Sequence, residues 1–482
     1  MNTMLRPPHS QDAPATPFRR AAGPLVALML GASLLGSAQA KDAIRWQKPG
    51  WHFISRIMYQ QDIQKNLKLR KNNISSQSLG MPEARLLTRY QHDDHWGFVF
   101  DIEPYVSLWR ADGYPQENDT MLYLPQLYAE AQFKEYGTRA RLGRWSTDDE
   151  RTWFFDTDFD GLNVTVERGP WLVDAFVAQY DVWRHDLFNH NAPHEKGDKL
   201  AAAMGTYRLN KDHQLILKGL RQVNDKKEGM HLTHLIGGSI NTPSEGMQHW
   251  ALASYVSGHQ NDRRVRGEAI DVGATLFVDS SSRWNPRATL GYAWGSGDDG
   301  KGTDNSHHQT GMQTNKSEMG AVYDFKTYGT VLNPALTNIH VLTAAVGIAP
   351  MKDSSLDLVY HHYRQDKLGA LSKTALNPEA DLQNRRTLGN GFDLVWGWTP
   401  GPAWRVQAYA GVFMPSGRFR ASNDAGAGTT PSMHAAANVK HPVNQGLSGM
   451  LGVFVTTIIV CSCTAFCILL SGALNGSLTG IQ

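Results

Sequence analysis

Residues 96–110 read WGFVFDIEPYVSLWR, and their alternation decides the fold. In an extended strand successive side chains point to opposite faces. Trp96, Phe98, Phe100, Ile102, Val106 and Leu108 therefore share one face. Gly97, Asp101, Glu103 and Ser107 share the other, with Val99, Tyr105 and Trp109 as exceptions. A tilted strand of about ten residues crosses a bilayer. One apolar face for lipid and one small, polar face for water is the pattern of such a strand.

The same period recurs outward along the chain. Ile270, Val272, Ala274, Leu276 and Val278 alternate with Asp271, Gly273, Thr275 and Phe277. Leu388, Phe392, Leu394, Trp396 and Trp398 alternate with Thr387, Gly389, Gly391, Asp393 and Gly397. Residues 161–167, 250–256, 356–363 and 404–412 give weaker versions. Trp96, Trp109, Trp250, Trp398 and Trp404 mark segment ends, where interfacial girdles fall. Polar stretches at 295–316 and 365–386 are expected as long loops among short turns. Residues 41–420 hold no apolar run long enough for a transmembrane helix. A soluble sandwich or propeller also alternates, but it usually buries runs of Val, Ile and Leu and less often spaces Trp and Tyr at strand ends. No fixed-period repeat supports a propeller. The expected fold is all-β, a transmembrane antiparallel β-barrel of about 16–18 strands over residues 41–420.

The 482 residues carry a net charge of +2, which gives no basic stripe for a nucleic acid. Residues 1–40 read as an export signal: Arg19 and Arg20, the apolar run 25–35, and the small-residue site Ala38-Gln39-Ala40. Residues 41–460 contain no cysteine, which suits an oxidising compartment. The outer membrane is the expected destination.

Between Leu122 and Phe413 an ordered series of short motifs appears. They are Arg141-Leu142-Gly143-Arg144, Asp156-Thr157-Asp158, Gly161-Leu162-Asn163, Gly291-Tyr292-Ala293, Gly295-Ser296-Gly297, Gln309-Thr310-Gly311, Asn315-Lys316-Ser317, Leu358-Val359-Tyr360-His361 and Gly411-Val412-Phe413. In this order they resemble the alginate-export family of outer-membrane porins. The resemblance implies a monomeric barrel of eighteen strands, passive secretion of an anionic polysaccharide, and periplasmic export machinery as a partner. A specific porin for small anions is the alternative on the same barrel.

A polyuronate carries a carboxylate on every sugar, so its channel needs inward Arg or Lys. If Leu142 faces lipid, Arg139 and Arg141 face the lumen, and Arg144 sits near the strand end. Arg405 faces inward if Trp404 and Val406 face out. Lys218 and Arg364 complete the candidate solute-binding set, with Arg85 and Arg89 behind them. The resemblance implies two inward arginines where this chain has Gln407 and Tyr409, which makes the lumen less basic.

No catalytic signature is present, and the chain is read as a channel and not an enzyme. No cofactor is required. Asp156, Asp158 and Asp160 are the residues that could hold calcium, because hard cations take oxygen ligands. His307-His308 and His361-His362 are adjacent pairs, and on a strand neighbours diverge, so neither is expected to chelate one metal.

Residues 421–482 break the pattern. Residues 447–470 form a charge-free run long enough for a membrane helix, and Cys461, Cys463 and Cys467 all lie in it. Asn423-Asp424-Ala425-Gly426-Ala427-Gly428, Asn438-Val439-Lys440-His441-Pro442 and Ile459-Val460-Cys461-Ser462-Cys463 resemble the sodium:alanine symporter family. That resemblance alone suggests a partial amino-acid carrier. A charge-free helix favours retention in the inner membrane. The family's last barrel strand and its terminal aromatic are missing, so a fusion of two coding fragments is expected. Trimming the chain after Arg420 is expected not to restore a good barrel, because the closing strand is lost. Efficient heat-modifiable folding of that truncation would contradict the reading.

Overall fold

The structure is a computed structural model. It describes residues 25–33 (backbone alone), 48–65, 76–180, 182, 186–188, 197–224, 229–243, 245–369, 385–401 and 403–419. The chain divides into two units, Met1–Arg420 and Ala421–Gln482. The second unit, with the expected helix 447–470, lies outside the described residues.

The first strands are β1 (Leu25–Ser33), β2 (Gly50–Lys65), β3 (Ser76–Gln91), β4 (Trp96–Ala111), β5 (Glu117–Phe133) and β6 (Thr138–Asp148). Next come β7 (Asp156–Arg168), β8 (Trp171–Tyr180), β9 (Lys199–Arg208), β10 (His213–Asn224), β11 (Met230–Asn241), β12 (Met247–Gln260), β13 (Arg263–Phe277) and β14 (Arg287–Gly295). The last are β15 (Lys316–Met319), β16 (Val322–Lys326), β17 (Ile339–Ile348), β18 (Ser354–Arg364), β19 (Thr387–Gly401) and β20 (Trp404–Pro415). Eighteen strands form one sheet, and β15 and β16 form a separate hairpin. β14 pairs with β17, so the hairpin is an insert between neighbouring strands.

The ring closes through β1, which pairs antiparallel with β2 on one side and β20 on the other. β1 thus lies between the first and last strands that follow it in the sheet. Leu25–Ser33 is also the heart of the expected export signal. An open edge in lipid leaves backbone groups unsatisfied, so an apolar nine-residue segment is stabilised in that gap. Cleavage after Ala40 would leave β2 and β20 as facing edges.

The outer face is apolar. On β4, Trp96, Phe98 and Phe100 are 55%, 60% and 44% exposed, while Val99, Asp101 and Glu103 are buried on the inner side. Exposed Trp51, Trp96, Tyr136, Trp171, Trp284 and Trp404 cluster at the end bearing the short connections. That is an interfacial girdle, and short connections mark the periplasmic end of such barrels. Two expectations need correction. Trp250 and Trp109 are not part of the girdle: the Trp250 indole points inward and donates to Asp271 at 2.7 Å, and Trp109 packs against the interior apolar cluster described below. Leu388 does not face lipid. β19 bulges there, with Tyr363 opposite Gly389 and Arg364 opposite Thr387, and the extra residue turns Leu388 inside.

The interior is not wet throughout, as strand alternation alone suggests. One apolar cluster draws a residue from every strand of β4–β14 and β17–β20. It is completed by Trp153, Phe154, Phe155, Met312, Tyr328, Leu332 and Leu336 from the connections, and it spans the lumen. The periodicity of the strands cannot report this, because loops supply the filling.

Leu217 is 69% exposed near the middle of β10. Arginine facing mid-bilayer lipid costs roughly 2–4 kcal/mol. Leu217→Arg is expected to lower the unfolding free energy by about that amount in urea titrations of vesicle-folded protein. An unchanged midpoint would remove Leu217 from the lipid face.

Candidate functional site

Two connections fold into the barrel. The first joins β6 to β7. Its Asp149 carboxylate accepts hydrogen bonds from the Phe154 and Phe155 amides, at 2.8 and 3.0 Å, which curls the segment. Arg151 and Thr152 are left-handed, with φ of 59° and 45°. Such backbone costs roughly 1–3 kcal/mol per residue and persists only where surroundings enforce it. Here the opposite wall does so. Arg151 Nε donates to Asp271 on β13 at 3.0 Å, and its guanidinium lies 4.3 Å from the Trp250 ring centre. Lys218 on β10 pairs with Glu150 and lies 3.7 Å from Asp149.

The second insert, residues 296–338, joins β14 to β17. Tyr328 OH donates to Asp271 at 3.0 Å and accepts from Trp153 Nε1 at 2.8 Å. Asp271 therefore holds both inserts to one wall. The inserts also bind each other: the Asn315 amide donates to Thr152 O at 3.2 Å, and Thr314 Oγ1 donates to Thr152 Oγ1 at 2.9 Å. The hairpin β15–β16 lies on the inner wall of β17–β20. Met319, Val322 and Phe325 pack with Ala345, Val359, Val395 and Tyr409. The Tyr323 amide donates to Gln407 Oε1 at 2.9 Å. The neutral residues at 407 and 409 are thus the seat of the hairpin. Nearby, Asp304 accepts from His308 at 2.8 Å; burial pushes this carboxyl up, yet the His308 and Ser306 donors hold it at about 2.

Below this plug is a cavity of about 1800 Å³. Asn210, Asp212, Asn241, Asn285 and Asp353, from the short-turn end, line its mouth. Arg89, Arg139, Arg141 and Arg208 lie on β3, β6 and β9 with Asp174 of β8 among them, while Glu318, Asp324 and Lys316 lie on the hairpin side. Arg141 Nε donates to Glu130 at 3.3 Å, and its guanidinium lies 5.3 Å from the Tyr128 ring centre. Arg139 is 3.9 Å from the same carboxylate. Nε of Arg89 and Arg139, and Nε and Nη2 of Arg208, donate to no protein acceptor.

The sequence candidates separate into three groups. Arg139, Arg141, Lys218 and Arg89 line the cavity. Arg85 and Arg405 are inside but occupied: Arg85 is bidentate to Asp101, and Arg405 stacks 3.9 Å from the Tyr323 ring centre under the hairpin. Arg144 and Arg364 do not line the cavity. Arg144 lies two residues past lipid-facing Leu142 and is paired with Asp160 at 2.9 and 2.8 Å. Arg364 is exposed at the end of β18. The three aspartates do not converge: Asp156 binds Thr314 and Lys316, Asp160 binds Arg144, and Asp158 is buried apart from both. His361 faces inward, 3.4 Å from Asp393, while His362 contacts Asn390 on the other side. Arg151, Arg208, Arg287 and Lys316 line the cavity and went unnoticed in the sequence. β9 shows too little alternation to place Arg208, and Arg151 and Lys316 lie on inserts.

A family model described as alginate export matches residues 51–431. A second, described as sodium:alanine symporter family, matches residues 401–482. The chain is 28% identical over 190 residues to the alginate production protein AlgE of Azotobacter vinelandii, covering 34% of this chain and 38% of that one. Its tail is 68% identical over 50 residues to an uncharacterized transporter of Haemophilus influenzae, 10% of each chain. It is 49% identical over 55 residues to the uncharacterized transporter YflA of Bacillus subtilis, 11% of this chain and 12% of that one. The chain thus spans about a tenth of the length of these transporter relatives. Among solved structures, OpdK of Pseudomonas aeruginosa with vanillate aligns at a TM-score of 0.48 and 11% identity, over 81% of this chain and 98% of that one. With an antiparallel ring, an apolar outside and a family match over most of its length, the chain belongs to the alginate export family, with a C-terminal segment that is similar to the sodium:alanine symporter family.

Proposed function

We propose that this protein is an outer-membrane channel that takes anionic solutes of the polyuronate class into a vestibule open to the periplasm. The observation that carries the reading is the arginine wall of Arg89, Arg139, Arg141 and Arg208, four guanidinium groups whose ion-pair partners among the described residues are two carboxylates, Glu130 and Glu167. Fixed positive charge in a narrow, low-dielectric lumen concentrates anions, and a carboxylate is the natural acceptor for a guanidinium. The family description names an acidic polysaccharide of the same chemistry. Passage is passive, and the plug has to move for it.

A second reading keeps the barrel but takes small anions. It is favoured by neutral Gln407 and Tyr409 and by the hairpin they seat, which narrows the path. Single-channel conductance separates the two. Block by polyuronate at concentrations where small organic acids do not block supports the first reading, and the reverse order supports the second.

The tail is read as a carrier fragment joined to the barrel within the overlap of the two family matches, residues 401–431. Carriers of this kind build their site between repeated helical halves, which so short a segment lacks. Sodium-dependent alanine uptake by the whole chain would contradict this.

Charge reversal in the wall is the sharper test of the channel. Arg141→Glu is expected to change the anion-to-cation preference by on the order of 1 kcal/mol, several-fold in permeability ratio. An unchanged bi-ionic reversal potential in planar bilayers would exclude Arg141 from the path.

A further inference from the structure

We propose that Arg151 is the specificity-determining residue of the plug: a solute carboxylate entering from the vestibule displaces Asp271 from Arg151 and frees the β6–β7 insert. The inference rests on the channel reading above and names how its closed path opens.

Arg151 lines the cavity with its side chain 13% exposed, so a solute in the vestibule can reach it. Asp271 is 3% exposed and would be a costly charge to strand. It is not stranded by the exchange. Trp250 Nε1, at 2.7 Å, and Tyr328 OH, at 3.0 Å, still donate to it after Arg151 leaves. Arg151 in turn keeps a carboxylate partner, now the solute's. Each ion stays satisfied on both sides of the exchange.

The neighbouring tie is built differently. Lys218 is 4% exposed and pairs with Glu150 of the insert itself. Its ammonium borders the same cavity but is less exposed than the Arg151 guanidinium and is held by two carboxylates of the insert, Glu150 and Asp149. Of these two ties to the wall, Arg151–Asp271 is the one a solute exchanges more readily.

The backbone supplies the second state. Arg151 and Thr152 are consecutive left-handed residues without glycine, a conformation that persists only under external hold. Once the side-chain tie is gone, Arg151 can relax to ordinary backbone and leave the wall, while Thr152 keeps its bonds to Thr314 and Lys316 of the second insert. A ligand shifts such an equilibrium only by binding one state better. A carboxylate does so, because it binds only the released guanidinium. A neutral sugar has no such preference. Release also uncovers the Trp250 indole, on which the guanidinium now lies.

The test uses full-length protein in planar bilayers, with galacturonate or neutral galactose added on the vestibule side. Wild-type openings are expected to increase with galacturonate and not with galactose. Arg151→Gln is expected to raise basal open probability about tenfold, the scale of one lost charged tie, and to ignore galacturonate. Arg151→Lys keeps the charge without the fork and is expected to respond only at higher galacturonate. An Arg151→Gln protein as closed as wild type, with an intact galacturonate response, overturns the proposal. Heat-modifiable migration checks folding. If Arg151→Gln does not fold, Asp271→Asn takes its place, and unchanged basal opening in that variant overturns the proposal equally. An Arg151→Gln channel that opens but prefers cations supports the latch and sinks the anion reading instead, so the two failures are distinct.

Discussion

Within a bilayer no water is available to backbone amides and carbonyls, so every one must find a partner inside the protein. This constraint orders the rest of the structure. It forces the sheet to close, and it brings β1 into the gap between β20 and β2. A closed ring then fixes side-chain parity, because a strand with two hydrogen-bonded neighbours cannot slip without exchanging its faces. Leu142 outside places Arg139 and Arg141 inside, and Leu217 outside places Lys218 inside.

The interior is a second, separate problem. A ring of this size has room for more than its own side chains. The β6–β7 and β14–β17 connections fill the end with long loops, and the other end stays wet. Asp271 is the junction between the two regions. It anchors Arg151 and Tyr328, one from each insert, to a single strand. Gln407 and Tyr409 have the matching role on the far wall, where a charge would face the buried hairpin.

The sequence made strand parity readable and left loop placement unreadable. From Trp96 to Leu108 the faces can be assigned by counting, and the same count from Leu142 locates Arg139 and Arg141. Counting fails where one residue is inserted, as at Leu388 beside Gly389, because a bulge has no signature in the alternation. It fails at Trp250, whose aromatic character suits a girdle but whose indole is drawn in by Asp271. Arg151 could not be placed at all. Its position depends on contacts with strands more than a hundred residues away, and no local period encodes them.

The central claim is that neighbouring residues on one strand meet different solvents. It is tested most directly by single cysteines at positions 141 and 142, in a chain whose three native cysteines are replaced by serine. The account predicts that a charged, membrane-impermeant thiol reagent modifies position 141 in folded protein, while position 142 reacts only with a lipid-soluble reagent. Equal reaction of both positions with the charged reagent would contradict it.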